Sequence, residues 1–271
     1  MRVMTWNILL GGGDEARFAA VLDLLRDARP DVLVLQECLG WEDGVRLGRV
    51  AEVLGLPGSA AHVTLCPSNP RGSGRRYHLA AFSRPPFLQP PVHHAPPALA
   101  HSAVQVQIEH DGAPLTLLGA HLVASSEEER VAEARWLLGV DVGPRALLLG
   151  DLNALSPRDP YPADLAQRVR QAGVDKFGHP PGMHTIGLVE AAGWVDTLHL
   201  AGPPERWVTA HRERGGVPID YRTDYVFARP GVSVRRTEIV EVGEASDHQA
   251  VVVTLGGDGA GLAVEVGDRA R

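Results

Sequence analysis

Ala146-Leu-Leu-Leu-Gly-Asp-Leu-Asn153 is an apolar run that stops on two polar side chains. A short apolar run bounded by glycine reads as a buried strand. This one delivers Asp151 and Asn153 just past its C-terminal end, and the same arrangement recurs along the chain. Arg2 to Leu10 is apolar and partly β-branched, carries Asn7, and stops at Gly11-Gly12-Gly13. Asp31-Val-Leu-Val-Leu-Gln36 delivers Glu37, and Leu115 to Leu122 carries His121. Asp224 opens the run to Ala228, and Asp247 and His248 precede Gln249–Leu255. Taken singly, each residue reads as a turn, a cap or a solvated side chain. Taken together, strand ends of one sheet converge on one rim, so the set can share a site.

Two kinds of connection join these strands. Phe18, Val21, Leu22 and Leu25 fall on one helical face behind a capping Asp14, and Pro30 ends that helix. Leu47, Val50, Ala51 and Leu54 mark a second helix, closed by Gly55 and Pro57. Ser126-x-x-Glu129 is a capping box that opens a helix through Leu138. Hairpins supply the other connections. Val104, Val106 and Ile108 alternate with polar residues, Asp111-Gly112 is a turn signal, and Leu115 to Leu122 returns antiparallel. Tyr77–Ser83, a segment near Val208 and Val232–Val240 read as further strands. Residues 67–76 read as a basic loop, and 85–97, with six prolines, as an extended surface connection. The mixture suits a mixed sheet, or two sheets face to face with helices outside. No composition break divides the chain. One domain over 1–255 is expected, with a Gly-rich tail at 256–271.

The 271 residues suffice to bury roughly 73% of the unfolded chain's surface. With 44% hydrophobic and 22% charged residues, disorder, collagen and coiled coil are poor readings for the bulk of the chain. The longest uncharged apolar runs fall far short of the ~20 residues of a membrane helix. No secretory signal is apparent after Met1, so the cytoplasm is the default compartment. A monomer is expected. Cys38 and Cys66 form no framework and read as free buried thiols. The net charge of −7 disfavours holding nucleic acid by phosphate contacts alone. Any such grip needs a local patch, and Arg71, Arg75, Arg76 and Tyr77 offer one.

Glu37 and Asp247 offer hard oxygen ligands of the kind Mg²⁺ takes, and no zinc-type Cys/His spacing is present. The pair His93-His94 has no carboxylate nearby in the sequence. Histidines and amides around a hard cation suit the attack of water on a phosphoester.

Thr5-Trp-Asn7, Leu35-Gln-Glu37, Gly150-Asp-Leu-Asn153, Asp224-Tyr-Val-Phe227 and Ser246-Asp-His248 resemble, in order and spacing, the motifs of the endonuclease/exonuclease/phosphatase superfamily. The resemblance covers residues 2–255. It implies the DNase I-like fold, a four-layer α/β/β/α sandwich with two mixed sheets face to face. It also implies a Mg²⁺-dependent (or Mn²⁺-dependent) phosphoester hydrolase. Carried over, Glu37 binds the metal, with Asn7 and Asp247 near it as ligands or beside them. Asp151 orients or deprotonates the attacking water, and Asn153 holds that water or the phosphate. His248 contacts the scissile phosphate, Asp224 orients His248, and His121 donates to the phosphate or the leaving oxygen. If the strands of Asp224 and His248 are neighbours, the carboxylate fixes one imidazole nitrogen and favours the imidazolium.

Departures from individual branches narrow little. His121 stands where DNA-repair members tend to have Tyr. Pro218-Ile-Asp-Tyr-Arg-Thr-Asp224 lacks the inositol-polyphosphate phosphatase pattern. A phosphodiesterase or nuclease is the first reading. A phosphomonoesterase on a small-molecule or lipid phosphate is the alternative, and a catalytically silent binding module is a third. A dinuclear metallophosphatase would need an Asp-x-His near the N-terminus and a Gly-Asn-His-Asp, and neither is present. Nucleic acid, nucleotide, and lipid or sugar phosphate all stand open as partners.

Overall fold

A computed structural model of the protein describes residues 1–72, 74–214, 216–257 and 262–263. Its first unit is β1 (Arg2–Asn7), α1 (Glu15–Ala28) and β2 (Val32–Gln36), followed by α2 (Val45–Val53), β3 (Val63–Cys66) and β4 (Leu79–Ser83). β1 and β2 are parallel, which requires a crossover, and α1 supplies it. Asp14 caps α1 by accepting from the Arg17 amide at 2.9 Å, and Phe18, Val21, Leu22 and Leu25 are its buried face. The second unit repeats the device. After β5 (Val92–His94) and β6 (Ala103–His110), β7 (Ala113–His121) runs parallel to β8 (Ala146–Asp151) across α3 (Glu127–Leu138). The Ser126 hydroxyl accepts from the Glu129 amide at the start of α3.

The remaining elements are α4 (Leu165–Gln171), α5 (His184–Ala191), β9 (Val195–Asp196), β10 (Ala210–Arg214), β11 (Val217–Tyr221), β12 (Asp224–Ala228), β13 (Ser233–Val240), β14 (Ala250–Leu255) and β15 (Leu262–Ala263). One mixed sheet has the order β15-β13-β14-β1-β2-β4-β3, and the other β5-β6-β7-β8-β12-β9. β10 and β11 form a separate hairpin. Side chains alternate between the faces of each strand. Val3, Val34, Leu117, Leu149, Val226 and Val253 meet between the two sheets. Met4, Trp6, Leu33 and Leu35 face α1 and α2 on one outside, while Leu118, Leu148 and Tyr225 face α3 and α5 on the other. The four layers are therefore α/β/β/α. Each buried Leu or Val in these layers contributes roughly 1.5–3 kcal/mol.

Some elements differ from the sequence reading. The proline-rich stretch contains β5, which pairs antiparallel with β6 at the sheet edge, where proline's missing donors are tolerated. The strand placed near Val208 begins at Ala210. β3, β11, α4 and α5 carry no clear signal: the two helices have seven and eight residues and no side-chain cap. Residues 258–261 and 264–271 of the expected tail lie outside the described residues, and Leu262–Ala263 pairs with β13. Cys38 and Cys66 are free and buried, and burial pushes the Cys66 thiol up to about 11. No described helix is long and apolar enough to cross a membrane.

Gly150 precedes Asp151 at the end of β8. Its φ is +142°, and a Cβ there would stand 1.9 Å from the Ala120 carbonyl oxygen of β7. That oxygen is backbone and cannot move aside without breaking the pairing. Gly150→Ala is expected to destabilise the protein by about 3 kcal/mol or more in urea unfolding. A loss below about 1 kcal/mol would show that the strand pair yields freely.

Candidate active site

The two parallel strand pairs place four side chains at one rim. Asn7 ends β1 and lies next to Gln36 of β2, so Glu37 follows at the adjacent strand end. Glu37 has φ +61°, in the left-handed region uncommon for residues other than glycine. The turn is held by its carbonyl, which accepts from the amides of Gly11 at 2.6 Å and Leu39 at 2.7 Å. Its carboxylate accepts from the Leu10 amide at 2.9 Å and from Asn7 Nδ2 at 3.2 Å. Asn7 Nδ2 also donates to Asp151 Oδ2 at 3.0 Å, across the two sheets. Asn7 Oδ1 accepts from the Leu9 amide at 3.0 Å, which fixes the amide's orientation.

In the second sheet, His121, Asp151 and Asp224 stand side by side in register on β7, β8 and β12. Asp151 Oδ1 accepts from the Asn153 amide at 2.9 Å, and Asp151 Oδ2 lies 3.6 Å from His121 Nε2. Asn153 has φ +50°. Its Nδ2 donates to the Leu122 carbonyl at 3.0 Å, and its Oδ1 accepts from Lys176 Nζ at 2.9 Å.

His248 arrives from the first sheet. The Ser246 hydroxyl donates to the Asn7 carbonyl at 2.7 Å and accepts from the His248 amide at 3.2 Å. Trp6 Nε1 donates to the His248 carbonyl at 2.8 Å. So pinned to β1, His248 donates from Nδ1 to Asp224 Oδ2 at 2.8 Å. The sequence reading made this contact conditional on neighbouring strands. Instead β12 and β14 belong to different sheets, and the dyad spans the sandwich. Burial opposes a charge on His248 most, but Asp224 and Asp151 outweigh it and raise its pKa to about 10. Burial raises Asp224. Burial also works on Asp151, yet His248, His121 and Lys176 hold that carboxyl below its usual value.

Residues 4–248 match the family model described as "Endonuclease/Exonuclease/phosphatase family". The chain belongs to that family. It is thereby placed among phosphoester-hydrolysing enzymes. A solved endonuclease/exonuclease/phosphatase from Beutenbergia cavernae is similar at 25% identity and TM-score 0.65, over 96% of this chain and 72% of that one. An AP endonuclease from Archaeoglobus fulgidus has 18% identity and TM-score 0.67, and a 3′-5′ exonuclease from Neisseria meningitidis 17% and 0.67. Each covers 94% of this chain and 99% of its own, and shares the fold. No curated protein matches by sequence.

At this rim of the family member, a cavity of about 340 Å³ opens between Glu37, His121, Asp151, Asn153 and His248. Asp224 is fully buried, without accessible surface. Its Oδ1 has no partner among the described residues. Glu37 offers hard oxygens at the cavity wall and fits Mg²⁺ or Mn²⁺. Ligand atoms of Asp151, Asp224 and His248 also lie within 4.8 Å of one another, but His248 Nδ1 is already committed to Asp224. The other two residues expected at the metal, as ligands or beside them, are Asn7 and Asp247. Asn7 turns its nitrogen, not its oxygen, to Glu37. Asp247 is exposed and does not line the cavity. Of the basic patch, Arg71 and Tyr77 line the cavity. Arg75 and Arg76 are exposed and are not among its lining residues, with Arg76 donating to the Ser68 carbonyl at 3.1 Å.

The sequence reading missed three buried or half-buried neighbours: Lys176, Glu133 and His101. The Glu133 carboxylate accepts from the amides of Ala100 at 2.5 Å and Val123 at 2.7 Å, and so clamps the segments that carry His101 and His121. The two imidazoles stack with centroids 4.2 Å apart, and Tyr77 packs edge-on against His101. Burial above all, then His121 and Arg71, depresses His101 to about 2. His101 therefore stays neutral in the fold, while an unfolded histidine takes up a proton near pH ~6.5. The stability this gives is complete above that pH and erodes as the pH falls below it. His101→Phe keeps a stacked ring that does not titrate. Between about pH 7.5 and 5 it is expected to lose about 2 kcal/mol less stability than the wild type in urea unfolding. Equal pH slopes would place the acid sensitivity elsewhere.

Proposed function

We propose that this protein is a Mg²⁺-dependent hydrolase of phosphodiesters, of nuclease or phosphodiesterase type. The observation that carries the reading is the His248 imidazole, hydrogen-bonded at 2.8 Å to buried Asp224 and facing the same cavity as Asp151. A fixed cation beside an ionised carboxylate suits a phosphoryl centre attacked by water.

Glu37 would hold the divalent ion, with its carboxylate steadied by Asn7 and the Leu10 amide. When bound, the ion supplies charge neutralisation at the phosphate. Asp151, kept ionised by His248 and His121, orients the water and accepts its proton as the new P–O bond forms. His248 Nε2 donates to a phosphoryl oxygen. His121 donates to the phosphate or to the leaving oxygen as the old P–O bond breaks. Asn153 steadies Asp151 through its backbone amide, since its side chain is engaged by Leu122 and Lys176. Arg71 and Tyr77 line the wall where an anionic substrate with a stackable base would lie.

The two relatives named as an exonuclease and an AP endonuclease favour a nucleic-acid substrate. The cavity size favours a second reading, because about 340 Å³ is within the range of small-molecule sites. In that reading the protein is a phosphomonoesterase on a small-molecule or lipid phosphate.

A Mg²⁺-supplemented panel of phosphomonoesters, phosphodiesters, nucleic acids and phospholipids separates the two, with Asp151→Asn as the blank. Asp151→Asn is expected to cut turnover roughly 10²- to 10⁴-fold. Glu37→Gln is expected to weaken Mg²⁺ binding in calorimetry and hydrolysis together, and full activity at limiting Mg²⁺ would remove Glu37 from the metal site. Asp224→Asn should reduce turnover roughly 10- to 100-fold with the fold intact. Unchanged turnover would leave Asp224 a purely structural residue.

A further inference from the structure

Lys176 sits in a helical turn at Asp175–Phe177 that no sequence pattern announces. Its backbone carbonyl is taken by the guanidinium of Arg130, a fully buried side chain that also donates to the Val123 carbonyl. The turn is thereby fastened to the segment just after His121. The Lys176 stem packs so that Nζ lies 5.1 Å from the ring centres of both Phe177 and Tyr221. Nζ spends one donor on Asn153 Oδ1 at 2.9 Å. An ammonium has three. No carboxylate comes within ion-pair distance of it among the described residues, while Asp151, Asp224 and Asp247 act on it only through longer-range charge. A half-buried cation without a paired carboxylate costs stability. This one lines the same cavity as Asp151 and His248.

We propose that Lys176 is a catalytic residue whose ammonium contacts a non-bridging oxygen of the phosphoryl group, on the Asn153 side of the cavity. This rests on the phosphoester-hydrolase reading and adds to it a second fixed cation beside His248. Asn153 then acts as the tether that aims Nζ, with its amide held in turn by the Leu122 carbonyl. Charge that builds on the phosphoryl oxygens during attack meets a preorganised donor.

The test compares Lys176→Met and Lys176→Arg with the wild type, using turnover and melting temperature with and without inorganic phosphate as probe. Lys176→Met is expected to lose roughly 10²- to 10³-fold in kcat. It should also lose the stabilisation by phosphate, while its melting temperature without phosphate stays level or rises, because a half-buried cation without a paired carboxylate has been removed. Lys176→Arg should recover part of both losses. A merely structural lysine gives the opposite signature: a lower melting temperature in Lys176→Met with phosphate stabilisation retained. That result, or a kcat within about threefold of wild type, overturns the assignment. A wild type that neither hydrolyses any phosphoester nor gains stability with phosphate overturns the hydrolase reading, and this inference with it. Wild-type hydrolysis that survives in Lys176→Met sinks this inference alone.

Discussion

One amide group separates two carboxylates that come from different sheets. Glu37 and Asp151 are like charges at the same rim, and the Asn7 NH₂ spends one hydrogen on each. Without that bridge the two carboxylates would share no donor between them. With it, the ends of β2 and β8 are tied at a fixed spacing, and Asn7 is itself locked by the Leu9 amide. The same residue's carbonyl receives Ser246 and so sets where His248 stands. Position and spacing on the rim both trace back to this residue, through its side chain and its carbonyl.

Behind the rim, a layer of buried ionic groups keeps the loops from drifting. Arg222 reaches Asp196 with two nitrogens, at 3.1 and 2.5 Å, and Asp159 at 3.0 Å, while His199 closes on Asp159 at 2.9 Å. Arg222 lies two residues before Asp224. The network therefore fixes the start of β12, and the Thr209 hydroxyl adds bonds to the amides of Thr223 and Asp224. Buried charges persist when their hydrogen-bonding groups are satisfied. Lys176 departs from that pattern on the cavity side.

Strand ends were the most legible feature of the sequence, because an apolar run that stops on a polar residue is a local signal. Asn7, Glu37, His121, Asp151 and Asn153 all follow it. His101 and Lys176 do not. His101 lies in an irregular stretch before β6, and Lys176 in a three-residue helical turn between short uncapped helices. Their importance comes from contacts with residues far along the chain, which periodicity does not encode. The Asp224–His248 dyad shows the same limit. Its members were legible, but the sheet each belongs to was set by tertiary pairing. Asp247 was placed near the metal, as ligand or beside it, by the resemblance of its motif; it lies in a bend before β14 and is exposed.

β1 lies in the middle of its sheet, between β2 and β14. Trp6 accordingly waits for a partner 242 residues downstream. At roughly 5–20 residues per second of synthesis, that delay is on the order of ten seconds or more. Throughout it a nascent chain holds Glu37 and then Asp151 but lacks His248 and the strand β14 beside β1. The two halves of the rim therefore close late: Asp224 receives its imidazole partner only once residue 248 has been added, however early the first sheet's strands have paired.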